Sequence, residues 1–80
     1  MFDDPVGRLI GYKQTKKALE DNLVSRIYLA NDCDKKIQGE LTNLCSQRSV
    51  GICKDYTMEQ LGKMCNIDVG AAVVAQLKQL

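Results

Sequence analysis

Polar and apolar residues alternate with helical spacing in two long segments of the chain. In the first, residues 11–22, the predicted buried face consists of Thr15, Ala18, Leu19 and Asn22. The second begins after Asp34, a good helix N-cap, and its predicted buried face consists of Ile37, Leu41, Leu44 and Cys45. Since both sets recur every three or four residues, each segment is expected to form an amphipathic helix packed on a core.

A third helix is predicted to begin at Thr57, where the sequence TMEQ has the form of a capping box. In this arrangement the Thr57 side chain bonds the Gln60 amide, and the Gln60 side chain reaches back. The predicted buried face consists of Leu61, Met64 and Cys65. Asn66 follows, and asparagine tolerates the left-handed conformation that ends many helices. A short opening helix is predicted at residues 3–5, where two aspartates precede a proline.

Apolar runs between these segments predict strands at residues 9–10, 26–30, 50–54 and 72–77. The second run is almost continuously apolar, which is typical of a central strand covered on both faces. Helices and strands therefore alternate along the whole chain. This order predicts an α/β fold, a three-layer α/β/α sandwich, in a single domain spanning residues 1–80.

Composition narrows the function more by what it lacks than by what it contains. The 80 residues carry a net charge of +1 and no histidine, and their acidic side chains are scattered. The commonest general base and metal ligand is therefore absent, so we expect no enzyme and no cofactor. No apolar run approaches the roughly 20 residues needed to span a bilayer. The acidic start does not resemble a signal peptide, so we expect a cytoplasmic protein without membrane contact.

Four cysteines stand at positions 33, 45, 53 and 65, and none forms a C-x-x-C pair. Structural zinc sites usually bring their cysteines in close pairs. A reduced thiol behaves as a small apolar side chain. We therefore expect buried free thiols, and we keep a zinc, redox or disulfide role as the alternative.

The most distinctive stretch is GYKQTKKAL at residues 11–19, which has three lysines and no acidic residue. Free backbone amides at a helix start bind anions, and a glycine before them permits close approach of a ligand. Lysine and glutamine side chains can also donate to base edges. Since the phosphate-binding loop motif G-x-x-x-x-G-K is absent, the stretch favours a nucleic acid over a nucleotide. A merely solvated charged face is the alternative.

Residues 67–71 form a predicted loop with unusual apolar content, since Ile67 and Val69 fall within it. An apolar loop either packs into the core or binds a partner. Both interpretations stay open on the sequence of the loop alone.

The stretch GYKQTKKAL resembles the RNA-binding motif of the ribosomal protein L7Ae family, in particular its small bacterial members. The similarity continues through YLAND at residues 28–32, LGKMC at 61–65 and VGAAV at 69–73. These blocks occur in the order and spacing of the family and cover nearly the whole chain.

This resemblance implies a four-stranded mixed sheet and binding to kink-turns, which are RNA bends with tandem sheared G·A pairs beside a bulge. It implies that Gly11 gives close approach and that Lys17 contacts guanine and phosphate. Lys13 and Gln14 stand where the wider family has Asn and Glu, and Asn66 stands where it usually has glycine. The loop at 67–71 would contact unstacked bulge nucleotides. The residues expected to bind RNA are Gly11, Lys13, Gln14, Lys16, Lys17, Asp32, Ile67, Asp68, Val69, Gly70 and Ala71.

The partner implied by the resemblance is a structured RNA that contains a kink-turn, either ribosomal RNA or a riboswitch, with the ribosome as a further candidate. We expect the protein to be a monomer. The alternative function is a protein–protein interaction module on the same scaffold, which would associate through residues 67–69 without RNA. A thiol-based redox or zinc protein is the third hypothesis.

Overall fold

The computed structural model describes residues 7–78, in which four strands alternate with three helices. The strands are β1 (Arg8–Ile10), β2 (Val24–Leu29), β3 (Gly51–Cys53) and β4 (Val73–Leu77). The helices are α1 (Tyr12–Glu20), α2 (Lys35–Arg48) and α3 (Met58–Met64). Within the described range, no helix has the length and apolar character needed to cross a membrane. The helix predicted at residues 3–5 lies outside the described residues.

The four strands form one mixed sheet in the order β1-β4-β2-β3. Strand β4 runs antiparallel to both neighbours, with Ile10 opposite Val74 and Leu29 opposite Val73. Strands β2 and β3 are parallel. Consequently β1, β2 and β3 all finish where β4 begins, and we call this the upper end of the sheet. The four-stranded mixed sheet implied by the resemblance is thus confirmed.

Helices cover the sheet on both faces. Consecutive strand residues point to opposite faces, yet Val73, Val74 and Ala75 are all 0% exposed. Helices α1 and α2 pack against each other on one face, and α3 contacts β4 on the other. The predicted three-layer α/β/α sandwich is therefore confirmed.

The helix starts follow the capping signals of the sequence. Asp34 Oδ1 accepts a hydrogen bond of 2.8 Å from the Lys36 amide at the start of α2. At the start of α3, the Gln60 amide donates to Thr57 Oγ1 at 3.2 Å and the Thr57 amide donates to Gln60 Oε1 at 2.8 Å. Asn66 has a φ of 62°, in the left-handed region. The predicted caps are confirmed because they depend on neighbours in sequence.

The prediction that Asn22 lies on the buried face of α1 was wrong. The helix ends at Glu20, and Asn22 is exposed with a φ of 59°. The Leu23 amide then donates to the Ala18 carbonyl at 2.9 Å, which turns the chain into β2. Asn22 Oδ1 accepts a 3.0 Å hydrogen bond from Arg48. The residue therefore ends the helix and does not belong to its apolar face.

The predicted strands are in the right places, but their ends differ by one or two residues. Strand β2 begins at Val24, two residues before the predicted start. Strand β3 is shorter than predicted at both ends, and β4 begins one residue later. Val24 is 1% exposed and pairs with Leu77 across a register irregularity. Sheet pairing therefore fixed these boundaries, and the apolar runs alone did not.

Three of the four cysteines lie in the core as predicted. Cys33, Cys45 and Cys65 are buried, and burial raises the pKa of each thiol above its ordinary value. Cys53 is half-buried, and its thiol lies 3.6 Å from an Asp55 carboxylate oxygen. Across residues 7–78, histidine, cysteine and acidic side chains do not gather into a group of three able to hold a metal ion. The buried thiols are poor nucleophiles because they stay protonated.

Candidate RNA-binding site

The start of α1 lies at the upper end of the sheet and leaves its backbone amides uncapped. Gly11 precedes the helix with a φ of 117°, which a side chain would strain. Its amide donates to the Val73 carbonyl at 3.0 Å, so the helix start is fixed to the start of β4. Gly11 offers no side chain to cap α1, and the amides of the first turn have no partner within the helix. This arrangement can receive an anionic group such as a phosphate.

Three polar side chains extend from the first two turns of α1 into solvent. Lys13, Gln14 and Lys17 are all exposed. Gln14 and Lys17 line the same shallow hollow, of about 210 Å³, which also borders Leu9 of the edge strand β1. The structure therefore brings a cationic side chain and an amide side chain to one surface. A base edge could accept a hydrogen bond from either group.

Lys16 is directed to a different neighbour. Its ammonium nitrogen lies 2.9 Å from Glu40 Oε1 of α2. The Tyr12 hydroxyl and the Lys16 ammonium hold the pKa of the Glu40 carboxyl below its usual range. Glu40 in turn raises the pKa of both Tyr12 and Lys16. Lys16 is therefore held in an ion pair with Glu40, whereas neither Lys13 nor Lys17 forms an ion pair with another residue in the range 7–78.

A second concave surface, here called the α3 cleft, lies between α3, the following loop and the turn after β2. Its volume is about 670 Å³. The lining residues are Asp32, Met58, Glu59, Lys63, Ile67, Asp68, Val69 and Gly70. The structure thus brings Asp32 together with residues 67–70, which are distant from it in sequence and were predicted to bind the same RNA.

Backbone hydrogen bonds and one carboxylate hold the walls of the α3 cleft in place. Asp32 Oδ1 accepts a 2.8 Å hydrogen bond from the Met58 amide. The Met58 carbonyl accepts from the Ala71 amide at 3.0 Å, and the Gly62 carbonyl accepts from the Ile67 amide at 3.0 Å. These bonds connect the turn after β2, both ends of α3 and the loop, so the cleft is largely preformed.

The loop residues differ in exposure. Val69 is 70% exposed, which is unusual for a large apolar side chain, whereas Ile67 is half-buried and packs against the core. Ala71 is only 3% exposed, and its amide is already bonded to Met58. The sequence left open whether the loop packs into the core or binds a partner. In the structure, each interpretation applies to a different residue. Val69 is available to a partner, and Ala71 anchors the loop.

Sequence reasoning missed the wall of the cleft that α3 provides. Met58, Glu59 and Lys63 line it. Glu59 and Lys63 are four residues apart and form an ion pair of 3.2 Å, an ordinary pattern on exposed helices. That pattern gave no reason to predict that Glu59 and Lys63 line a binding surface. Gly62 was the stronger signal, because a glycine inside a short helix indicates that another backbone approaches closely.

The two surfaces share one end of the molecule. The Gly11 amide is bonded to the carbonyl of Val73, and the Ala30 amide is bonded to the carbonyl of Ala72 at 2.9 Å. The first bond connects the start of α1 to Val73, which begins β4. The second connects the turn after β2 to Ala72, which precedes β4. A helix start with free backbone amides and the α3 cleft therefore lie around a common segment, an arrangement that would suit an extended polyanion with exposed bases.

Comparison with known proteins identifies similar chains. The model of the ribosomal protein L7Ae/L30e/S12e/Gadd45 family matches residues 6–79. An RNA-binding protein of Caldanaerobacter subterraneus is 37% identical over 73 residues, covering 91% of this chain and 89% of that protein. An RNA-binding protein of Bacillus pumilus is 43% identical over 67 residues, covering 84% and 82% of the two chains.

Solved structures share the fold at lower sequence identity. The Giardia lamblia 15.5kD RNA binding protein superposes with a TM-score of 0.85 at 21% identity, covering 92% of this chain and 62% of that one. A protein of unknown function from Bacillus halodurans gives a TM-score of 0.86 at 18% identity, with coverage of 91% and 73%. Similarity at this level of identity establishes the architecture alone.

Proposed function

Since this chain belongs to the ribosomal protein L7Ae/L30e/S12e/Gadd45 family, we propose that it is a non-enzymatic RNA-binding protein of the cytoplasm that recognises kink-turns. The observation that carries the proposal is the joint position of the α1 start and the α3 cleft at the upper end of the sheet. RNA binding is also the activity given in the names of relatives that are 37% and 43% identical.

The exposed residues of α1 give this proposal its chemistry. Lys17 contacts guanine and a phosphate, Gln14 offers a donor and an acceptor to a base edge, and Lys13 adds charge at the helix start. Gly11 allows the RNA backbone to approach the free amides. With a net charge of only +1, affinity depends on this local cluster and not on a general positive potential.

Recognition of a bent RNA follows from groove dimensions. The major groove of A-form RNA is too deep and narrow for side chains to read. A helix start such as that of α1 therefore requires a groove that has been opened by a sharp bend. Because the protein would bind the bent state preferentially, it would also stabilise that state. Residues 67–70 would contact the nucleotides that the bend leaves unstacked.

Two measurements test this function. A kink-turn RNA should compete for the protein far better than a straight duplex of equal length, and equal competition would contradict the proposal. Crosslinking in cells followed by RNA sequencing should enrich RNAs with tandem G·A pairs beside a bulge, and would tell ribosomal RNA from riboswitches. Purified protein that carries no RNA and binds none would instead favour the protein–protein module.

Replacing Glu40 should strengthen RNA binding. Glu40→Gln removes the carboxylate that lies 2.9 Å from the Lys16 ammonium, so this third lysine of α1 becomes available to phosphate. We expect a kink-turn RNA to bind about two- to fivefold more tightly in a gel shift. The slope of log affinity against log salt concentration should also become steeper by about one, because about one more counterion is released on binding.

Asp55→Asn is the matched control for this measurement. It removes the same charge from an exposed residue that forms no ion pair with the other described residues. If both variants change affinity and salt dependence equally, the effect is one of net charge and Lys16 is not restrained by Glu40.

A further inference from the structure

We infer that the part of the sheet left uncovered by α3 binds the phosphate backbone of an RNA stem, through Arg26 and with the charge of Arg8 beside it. The inference rests on the RNA-binding function proposed above, and it adds a further contact surface that reads no bases. It is carried by the short length of α3, the register of three strands and the surroundings of Arg26.

Helix α3 is too short to cover its face of the sheet. Its seven residues span about 10 Å, whereas the 14 residues of α2 span about 21 Å on the opposite face. Tyr28 points toward α3, since its ring lies 6.5 Å from that of Tyr56, which precedes the helix. Tyr28 is 8% exposed, but Arg26, two residues farther from the upper end on the same face of β2, is exposed. The lower part of this face is therefore open to solvent.

Three strands place polar side chains next to one another on the open part of this face. Arg8 of β1 and Arg26 of β2 both lie opposite Gln76 of β4. Residues directly opposite each other share a face and have Cβ atoms about 5 Å apart, so these three residues form a line across the sheet. We call them the arginine row. An acid between two arginines would stabilise the sheet, but this position holds a neutral glutamine, and the row is cationic.

Arg26 is the member of the arginine row that is available to a ligand. Its side chain forms no hydrogen bond or ion pair with another residue in the range 7–78. The Arg8 guanidinium donates to the Cys65 carbonyl at 3.0 Å, so Arg8 contributes mainly charge. Gly51 lies opposite Arg26 on the edge strand β3, and a Cβ there would lie 3.7 Å from Arg26 Nε. The lack of a side chain at position 51 therefore leaves this side of Arg26 open.

An irregularity in β2 is a second and independent indication of a binding site. The pairing of β2 with β4 shifts register between Val24 and Arg26, so Ser25 is an extra residue in β2. Such bulges occur preferentially near functional sites, where they change the direction of a side chain. Ser25 Oγ donates to the Gln76 carbonyl at 3.1 Å, which holds the extra residue in place. The bulge thus fixes the backbone directly before Arg26.

Charge and position favour an RNA stem as the occupant of the arginine row. A guanidinium forms two parallel hydrogen bonds with a phosphate, and duplex RNA is contacted chiefly at its phosphates and 2′-hydroxyls. Arg26 lies three residues, about 10 Å, from the end of β2 at Leu29, so a stem that leaves the bend at the upper end can reach it. Glu20 and Asp21 belong to the end of α1, which packs on the opposite face, and do not oppose a phosphate here.

The test uses kink-turn RNAs that are identical at the bend and have either two short stems or one of the two stems lengthened. Lengthening one stem should raise affinity about three- to tenfold in a gel shift, because one or two more phosphates are contacted. The slope of log affinity against log salt concentration should become steeper by about one to two. Arg26→Gln should reduce the gain to less than about twofold and leave binding of the short-stem RNA unchanged.

Two substitutions of Gly51 provide a second variant and its control. Gly51→Glu places a carboxylate opposite Arg26 and should also remove the gain, because the two charges would pair across the strands. Gly51→Ala makes only an ordinary contact with Arg26 and should keep the gain. Lys35→Gln removes the same charge from an exposed residue of α2, on the opposite face of the sheet, and should keep it as well.

An absence of gain from lengthening either stem would overturn the inference and leave the arginine row to an acidic protein segment or to solvent. A gain that Arg26→Gln leaves intact, or that Lys35→Gln removes equally, would overturn it too. In each of these cases, preference for the short-stem kink-turn over a straight duplex would leave the proposed function standing. Loss of that preference in the wild-type protein would overturn both.

Discussion

Replacing Lys17 with alanine is expected to weaken binding to a kink-turn RNA by about 1–3 kcal/mol, which is roughly 5- to 150-fold in the dissociation constant. Lys17 is exposed on α1, beside Gln14 and at the same end of the sheet as the α3 cleft. Its charge is not balanced by an ion pair with another described residue, unlike that of Lys16. Under the proposed function, the substitution therefore removes both a base contact and a phosphate contact.

Gel-shift titration of the variant with a kink-turn RNA measures this loss. Alanine favours helix, so the fold should persist, and an unchanged circular dichroism spectrum would show that it does. The matched control is Lys78→Ala, which removes the same charge just beyond the far end of β4 and keeps the backbone bond from residue 78 to Leu23. Equal losses for the two variants would mean that Lys17 acts only through net charge.

Replacing Gly62 with alanine destabilises the protein by about 1–3 kcal/mol, although alanine is normally the better helix former. An added Cβ would overlap the carbonyl oxygen of Val69 and lie 3.1 Å and 3.2 Å from the backbone atoms Val69 C and Gly70 Cα. Backbone cannot rotate away as a flexible side chain can. The loop must shift, and the bond from the Ile67 amide to the Gly62 carbonyl is strained with it.

Urea denaturation measures this second effect, and Gly39→Ala is its control. Gly39 also lies within a helix, but a Cβ there would meet no atom within 4 Å. The free energy of unfolding of that variant should be higher by about 0.5–1 kcal/mol, because alanine loses less backbone freedom on folding than glycine does. The same glycine-to-alanine substitution is thus expected to destabilise the protein at position 62 and to stabilise it at position 39. A Gly62→Ala variant as stable as Gly39→Ala would show that the loop does not pack on α3 as described.

Gly62→Ala and Lys17→Ala together separate the two candidate RNA-binding surfaces. Gly62→Ala displaces one wall of the α3 cleft while the α1 start stays fixed to Val73. Lys17→Ala alters the surface of α1 and leaves the α3 cleft in place. If both surfaces contact one RNA, either substitution should weaken binding to a kink-turn RNA.

Much of the fold could be predicted from the sequence because its signals are local. Asp34 and Thr57 cap α2 and α3 through bonds to residues two and three positions later. The apolar positions Leu41 and Cys45 are buried as their spacing predicts. Asn22 shows the limit of this reasoning, since helical spacing could not reveal that the chain would leave the helix before reaching it.

The candidate site was only partly predictable for the same reason. The sequence identified the lysine-rich helix start and the apolar loop as separate segments. It could not tell that Lys16 lies against Glu40 of another helix, or that α3 forms a wall of the cleft. Both facts depend on packing between elements that are far apart along the chain.

The sequence by itself determined which segments form helices and strands, where the helices begin, and which residue types are available to bind an anion or a base. These properties follow from hydrogen bonds and side-chain spacing within a few residues. The tertiary structure alone decided the strand order, the division of the α1 lysines between Glu40 and solvent, and the meeting of Asp32 with the loop. Those outcomes depend on which apolar faces bury one another, and the order of residues in one segment does not specify its partner.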